Sequence, residues 1–147
     1  VRNVYREARI ILPATADAAG IAAIEQRLVH LFGGFTRSLG AGAWRDQDGS
    51  VVSEDVLIYD VATAAFTAAA DASGVLSHES ERAWLGASTH LRAIARDACN
   101  AFRQECVYLR TPDGEVHLIG PSGRDYNPDT ATPVYRHAAA FWHRRDT

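Results

Sequence analysis

The sequence predicts an α+β fold. Three observations predict it: apolar runs of strand length bounded by proline or glycine, two stretches whose apolar residues recur at three- and four-residue steps, and Asp-Gly turns between adjacent apolar runs. At 147 residues, 47% hydrophobic and 22% charged, the chain has the composition of one globular domain. It divides into a core of about residues 5–120 and a C-terminal tail, 121–147.

Glu7–Pro13 (EARIILP) reads as a strand closed by proline, which lacks the N–H that a ladder needs. Thr15 or Asp17 then caps a helix that carries Ile21, Ile24, Leu28 and Leu31 on one face. Gly33 and Gly34 stand where that helix ends, because glycine adopts the left-handed C-terminal conformation without a steric cost. The following stretch, LFGGFTRSLGAGAWRDQDGSVVSEDVLIYDV, contains five glycines within seventeen residues. It reads as a hairpin: Phe35–Trp44 is extended, Asp48-Gly49 supplies the positive-φ turn, and Val51–Val61 is the strongest strand of the chain. Gly40 and Gly42 mark a bulge or a close approach by another group. A dinucleotide-binding loop is disfavoured, since that fingerprint needs a helix directly after the glycines and a strand follows here.

Ala62–Gly74 is alanine-rich and open between a loop and a short helix. Ser77, with Glu79 and Glu81, starts a second helix whose stripe is Trp84, Ala87, Leu91, Ile94, Ala98 and Phe102. ECVYLRTPDGEVHLIG is a second hairpin, turning at Pro112-Asp113-Gly114. A tail helix follows, with Thr132 as cap, Pro133 in its first position and Arg144-Arg145 at its C-terminus. The order β-α-β-β-α-β contains the ferredoxin-like split βαβ arrangement, an antiparallel sheet with two helices on one face, extended here by a C-terminal strand and the tail helix. In VLIYDV, ARIIL and CVYL both alternating sets are apolar, whereas a sheet with one wet face alternates more cleanly. The second face therefore needs a cover, and a homodimer is expected, with the tail aromatics Tyr126, Tyr135, Phe141 and Trp142 contributing.

Composition narrows the function. No apolar run approaches ~18 residues, so no membrane span is expected. No charged-then-apolar signal segment opens the sequence, which makes a cytoplasmic location the expectation. All fifteen basic residues are arginine and methionine is absent, as in a GC-rich coding sequence whose initiator is trimmed or begins at an alternative codon. A net charge of −3 disfavours general nucleic-acid binding, which draws its affinity from phosphate neutralisation. Cys99 and Cys106 fit two buried free thiols. The six histidines form no i,i+4 pair, so neither a metal nor a cofactor is expected. A serine triad lacks its Gly-x-Ser-x-Gly elbow.

The polar residues that stand out are Thr36, Arg37, Glu54, Gln104 and Arg110. Glu54 shares a strand parity with Val52, Val56 and Ile58, and Arg37 shares one with Phe35 and Leu39, so each needs a partner on an apolar face. They form either a cross-hairpin ion pair or a polar pocket. In the pocket, Trp44 is a stacking wall, Arg37 and Arg110 take a phosphate or carboxylate, and Glu54 or Gln104 reads polar edges.

These residues also carry a resemblance. Thr36, Gly42, Trp44, Glu54, Phe102, Gln104 and Val107, in that order and spacing, resemble the pattern of small uncharacterised bacterial and phage proteins of the DUF3574 type. The likeness reaches to about Ile119 and leaves out the tail; Gly34-Phe35-Thr36 replaces a more proline-rich approach. It implies a fold and a phage or mobile-element origin, and no reaction. The expected function is binding without catalysis: a small anionic or nucleotide-like ligand sequestered, or a host protein blocked. The alternatives are a small enzyme of the dimeric α+β-barrel kind, with Glu54 as general base and His90 assisting, and a purely structural interaction protein.

Overall fold

The first strand of this chain lies inside the sheet and pairs through its backbone on both edges. The computed structural model describes residues 2–45, 50–68 and 78–126, with the backbone alone described at 2–4, 44–45, 52, 64–68 and 78–85. The elements are β1 (Arg2–Pro13), α1 (Ala18–Phe32), β2 (Thr36–Arg45), β3 (Val51–Ala68), α2 (His78–Ala101), β4 (Val107–Arg110) and β5 (Val116–Ile119). They form one antiparallel sheet in the order β2-β3-β1-β4-β5. The class is α+β, as the sequence predicts. The turn at Asp48-Gly49, the side chain of Trp84 and the tail helix with Thr132, Pro133 and Arg144-Arg145 lie outside the described residues.

Both helices pack on the same face. Ala8, Ile10 and Leu12 of β1, Tyr59 and Val61 of β3, and Val107 and Leu109 of β4 meet Ile24 and Leu28 of α1 and Leu91, Ile94, Ala95 and Ala98 of α2. Burial of these side chains is the main stabilising term, at ~25 cal/mol per Å² of apolar surface. On α1 the buried stripe ends on Phe32, which packs against the core, whereas Leu31 is exposed. Four-residue steps hold the face better than the three-residue step to Leu31, because the helix turns every 3.6 residues.

Asp17 is the N-cap, its carboxylate accepting from the Gly20 N–H at 3.0 Å. Gly33 is the C-cap at φ 83°, with its N–H donating to the Val29 carbonyl. The second hairpin turns at Gly114, φ 86°, as expected of Pro112-Asp113-Gly114. Cys99 and Cys106 are both fully buried and outside any disulfide, and burial pushes the Cys106 thiol far above its ordinary pKa.

Two local expectations are decided by the ladders. Ala62–Gly74 does not begin as a loop or helix: β3 continues to Ala68, because β1 starts at Arg2 and offers a ladder as far as the Arg2↔Ala68 pair. Sheet pairing there overrides the helix preference of alanine. Gly40 and Gly42 mark no bulge, since the β2–β3 register is unbroken; the irregularity lies in β1, between Val4 and Arg6. At Gly40 the other alternative, a close approach, is the one realised: a Cβ there would meet Ile58 Cδ1 at 2.8 Å.

Two measurements check these assignments. Gly33→Val should destabilise by about 1 kcal/mol or more through backbone strain, whereas Gly34→Val, at a position without positive φ, should shift the melting temperature much less. A thiol-reactive dye should find no fast-reacting cysteine in the native protein and both after denaturation.

Candidate functional site

Among the described residues Tyr59 is the largest fully buried side chain on the helix face of the sheet, and its hydroxyl cannot be left without a partner there. It donates to Oε1 of Glu25, on α1, at 3.0 Å. Arg37, directly opposite Tyr59 on β2, donates through Nη1 to the same oxygen at 2.5 Å. One carboxylate oxygen thus receives a phenol and a guanidinium from two adjacent strands. Phe35 closes the side of the cluster, its ring edge-on to Tyr59 with centroids 5.4 Å apart.

The electrostatics follow from this arrangement. Burial, then the hydrogen bond and charge of Glu25, push the Tyr59 phenol from 10.0 up to about 12, with Arg37 opposing. The hydrogen bond to Glu25 raises the Arg37 guanidinium above its ordinary value. At neutral pH Tyr59 therefore holds its proton, and it aims that proton at a carboxylate whose side chain is 20% exposed.

Glu25 borders two open clefts. One, of 580 Å³, is walled by Ala22, Val29, His30 and Phe35. The other, of 370 Å³, runs from Ala14 and Ala16 past Ile21 to Leu57 and also touches Arg37. The first is mainly apolar, as small-molecule sites usually are, and the second is lined equally by polar and apolar surface.

The residues singled out from sequence do not share one place. Arg37 belongs to the cluster. Glu54 stands opposite Gly42, so the cross-hairpin pairing of Arg37 with Glu54 does not form. Their separation follows from the register, which also puts them on opposite sheet faces; Glu54 instead accepts from the Thr15 hydroxyl at 3.4 Å. Thr36 lines a separate hollow with Phe32, Asp60 and Ala62. Gln104 is fully buried beyond the end of α2, donating to the Phe102 carbonyl, with its Oε1 unsatisfied. Arg110 lies on the face away from the helices, 3.5 Å from Glu7. His90 lines a groove between the helices with Gln26, Arg27 and His30. The backbone of Trp44 pairs with Val52, while its side chain lies outside the described residues. Among the described residues no three His, Cys, Asp or Glu side chains gather as a metal site, and no helix is long and apolar enough to cross a membrane.

Glu25 and Tyr59 were not singled out from sequence. A signal existed for each: Tyr59 is a hydroxyl inside an aliphatic strand, and Glu25 flanks the apolar stripe one turn after Ile21.

No protein-family model and no curated protein matches the chain. Among solved structures, a phage SAM lyase in complex with S-methyl-5′-thioadenosine superposes with a TM-score of 0.51 at 16% identity, over 82% of this chain and 92% of that one. A phage SAM lyase in the apo state gives 0.50 at 17%, over 80% and 90%. At this identity the likeness is one of fold.

The Tyr59–Glu25 bond has a pH signature. Tyr59 has a higher pKa folded than unfolded, so its contribution to stability is complete below pH 10.0 and is lost as pH rises through about 12. Tyr59→Phe should cost about 1–2 kcal/mol near neutrality and flatten the alkaline limb of the stability curve. Denaturant melts at several alkaline pH values, with phenolate absorbance recorded alongside, check both.

Proposed function

We propose that this chain is a phage-type small-molecule-binding protein whose ligand is an adenosine carrying a sulfur substituent at its 5′ position. The observation that carries the reading is the Glu25 carboxylate, held by Tyr59 and Arg37 at the mouth of two clefts, one mainly apolar and one lined equally by polar and apolar surface. A planar purine suits a wall of alanines and Leu57, ribose hydroxyls suit a carboxylate acceptor, and a sulfonium suits its negative charge. The shared fold with a phage lyase bound to S-methyl-5′-thioadenosine supports that ligand class. The ferredoxin-like assignment belongs to the same proposal: β1 lies between β3 and β4, the β2–β3 hairpin lies on one side, and β5 is added at the far edge.

Sequestration is the first reading. Turnover is the second, favoured by one observation: a proton-bearing phenol bonded to a carboxylate beside a cleft is an acid–base pair. In that reading Glu25 and Tyr59 take the roles that sequence alone assigns to Glu54 and His90, which lie on different elements and contact different neighbours.

Isothermal titration with S-methyl-5′-thioadenosine and with S-adenosylmethionine tests the proposal. Saturable binding is expected, weakened roughly tenfold or more by Glu25→Gln, which removes a charge-assisted hydrogen bond worth ~1.5–3 kcal/mol. The absence of binding by the wild-type protein overturns the ligand class. Chromatography of the S-adenosylmethionine mixture separates the two readings, since only turnover accumulates a product.

A further inference from the structure

The sheet has a second face, and its chemistry differs from that of the clefts. Ile11, Val56, Ile58, Tyr108 and Leu118 form an apolar band across β3, β1, β4 and β5, because Ile11 pairs with both Ile58 and Tyr108, and Tyr108 with Leu118. Val56 and Ile58 lean over Gly40, which has no side chain to keep them apart. Val116 continues the band onto the edge strand and is 54% exposed. Among the described residues, the helices all pack on the opposite side.

We propose that a second copy of this chain packs on this face. Three features favour a copy over another kind of partner. The charges on the face nearly cancel: Arg9 makes a two-pronged pair with Asp60, at 2.7 and 3.0 Å, Arg110 pairs with Glu7, and Glu54, at the end of the face, accepts from Thr15. A face with so small a net charge repels its own copy only weakly, and it has no positive charge in excess with which to attract nucleic acid or an acidic surface. The layout, an apolar centre beside polar pairs that include arginines and a tyrosine, is that of a protein–protein interface. The size also fits. With ~3.3 Å rise per residue and ~4.8 Å between strands, the five strands have a footprint of roughly 750 Å², of the order of the ~800 Å² per partner of a standard interface; Val56 is already buried within the chain and adds no accessible area to it. The pairing leaves both clefts, which lie on the helix side, open to a ligand.

The test is the mass of the full chain in solution. Light scattering at micromolar concentration should give at least twice the 16.0 kDa of one chain. Val116→Arg, at an exposed position beside Arg110, should keep the fold and raise the dissociation constant tenfold or more; Ile58→Asp, nearer the centre, should do so more strongly. Leu39→Arg, exposed on the helix side of β2, should leave the mass unchanged. A monomeric wild-type protein overturns the proposal. So does a Val116→Arg variant that keeps the assembled mass, or a Leu39→Arg variant that dissociates as readily; neither outcome depends on whether Ile58→Asp folds.

Discussion

The pairing of β1 with β3 is the contact on which every other element depends. It aligns Ala8 with Val61, Ile10 with Tyr59 and Leu12 with Leu57, and so places the core side chains of the two strands on one face. A slip of one residue would turn all of them to the other side, because strand side chains alternate with a period of two. The Arg9–Asp60 pair on the opposite face resists that slip: the two residues are register partners, and their two-pronged hydrogen bonds form only in this alignment. β4 then joins the free edge of β1, and β2 the free edge of β3.

The Glu25 cluster is a product of that register. Tyr59 reaches α1 because it lies on the helix face, and Arg37 reaches the same carboxylate because the β2–β3 ladder sets it opposite Tyr59. Glu25 in turn depends on how α1 is seated. The Asp17 cap fixes the start of the helix, and Gly20 lets it approach α2 so closely that an added Cβ would lie 2.6 Å from the ring of Phe102. The Arg27–Asp97 ion pair ties the same two helices further along, at 2.8 Å. The polar groups are therefore held in place by the fold itself, an arrangement that would lower the ordering cost of binding the proposed ligand.

Arg37 shows how far sequence reasoning carries and where it stops. Its parity with Phe35 and Leu39 says that it needs a partner on an apolar face, and it has one. The sequence points across the hairpin for that partner, because two strands joined by a turn are neighbours in space. It lies instead on a helix twelve residues earlier, brought there by packing of α1 on the sheet. Gln104 illustrates the converse. As a polar residue close to a strand it reads as a ligand contact, yet the chain folds it wholly inside, at the end of α2, where Arg103 takes a positive φ of 54°.

Local patterns determined the class, most of the elements and their order. A glycine after an apolar helix, an Asp-Gly turn and an alternating strand each express a backbone preference or a hydrophobic period that acts over a few residues. They also implied that the sheet has two apolar faces. The length of β3 was not local: Ala62 to Ala68 are extended only because the start of β1 is there to pair with them. The site was not local either, because Glu25, Arg37 and Tyr59 come from three elements that meet only after the helices dock. Which polar residue faces which is decided by register and packing angle, and these are properties of the assembled sheet rather than of any stretch of chain.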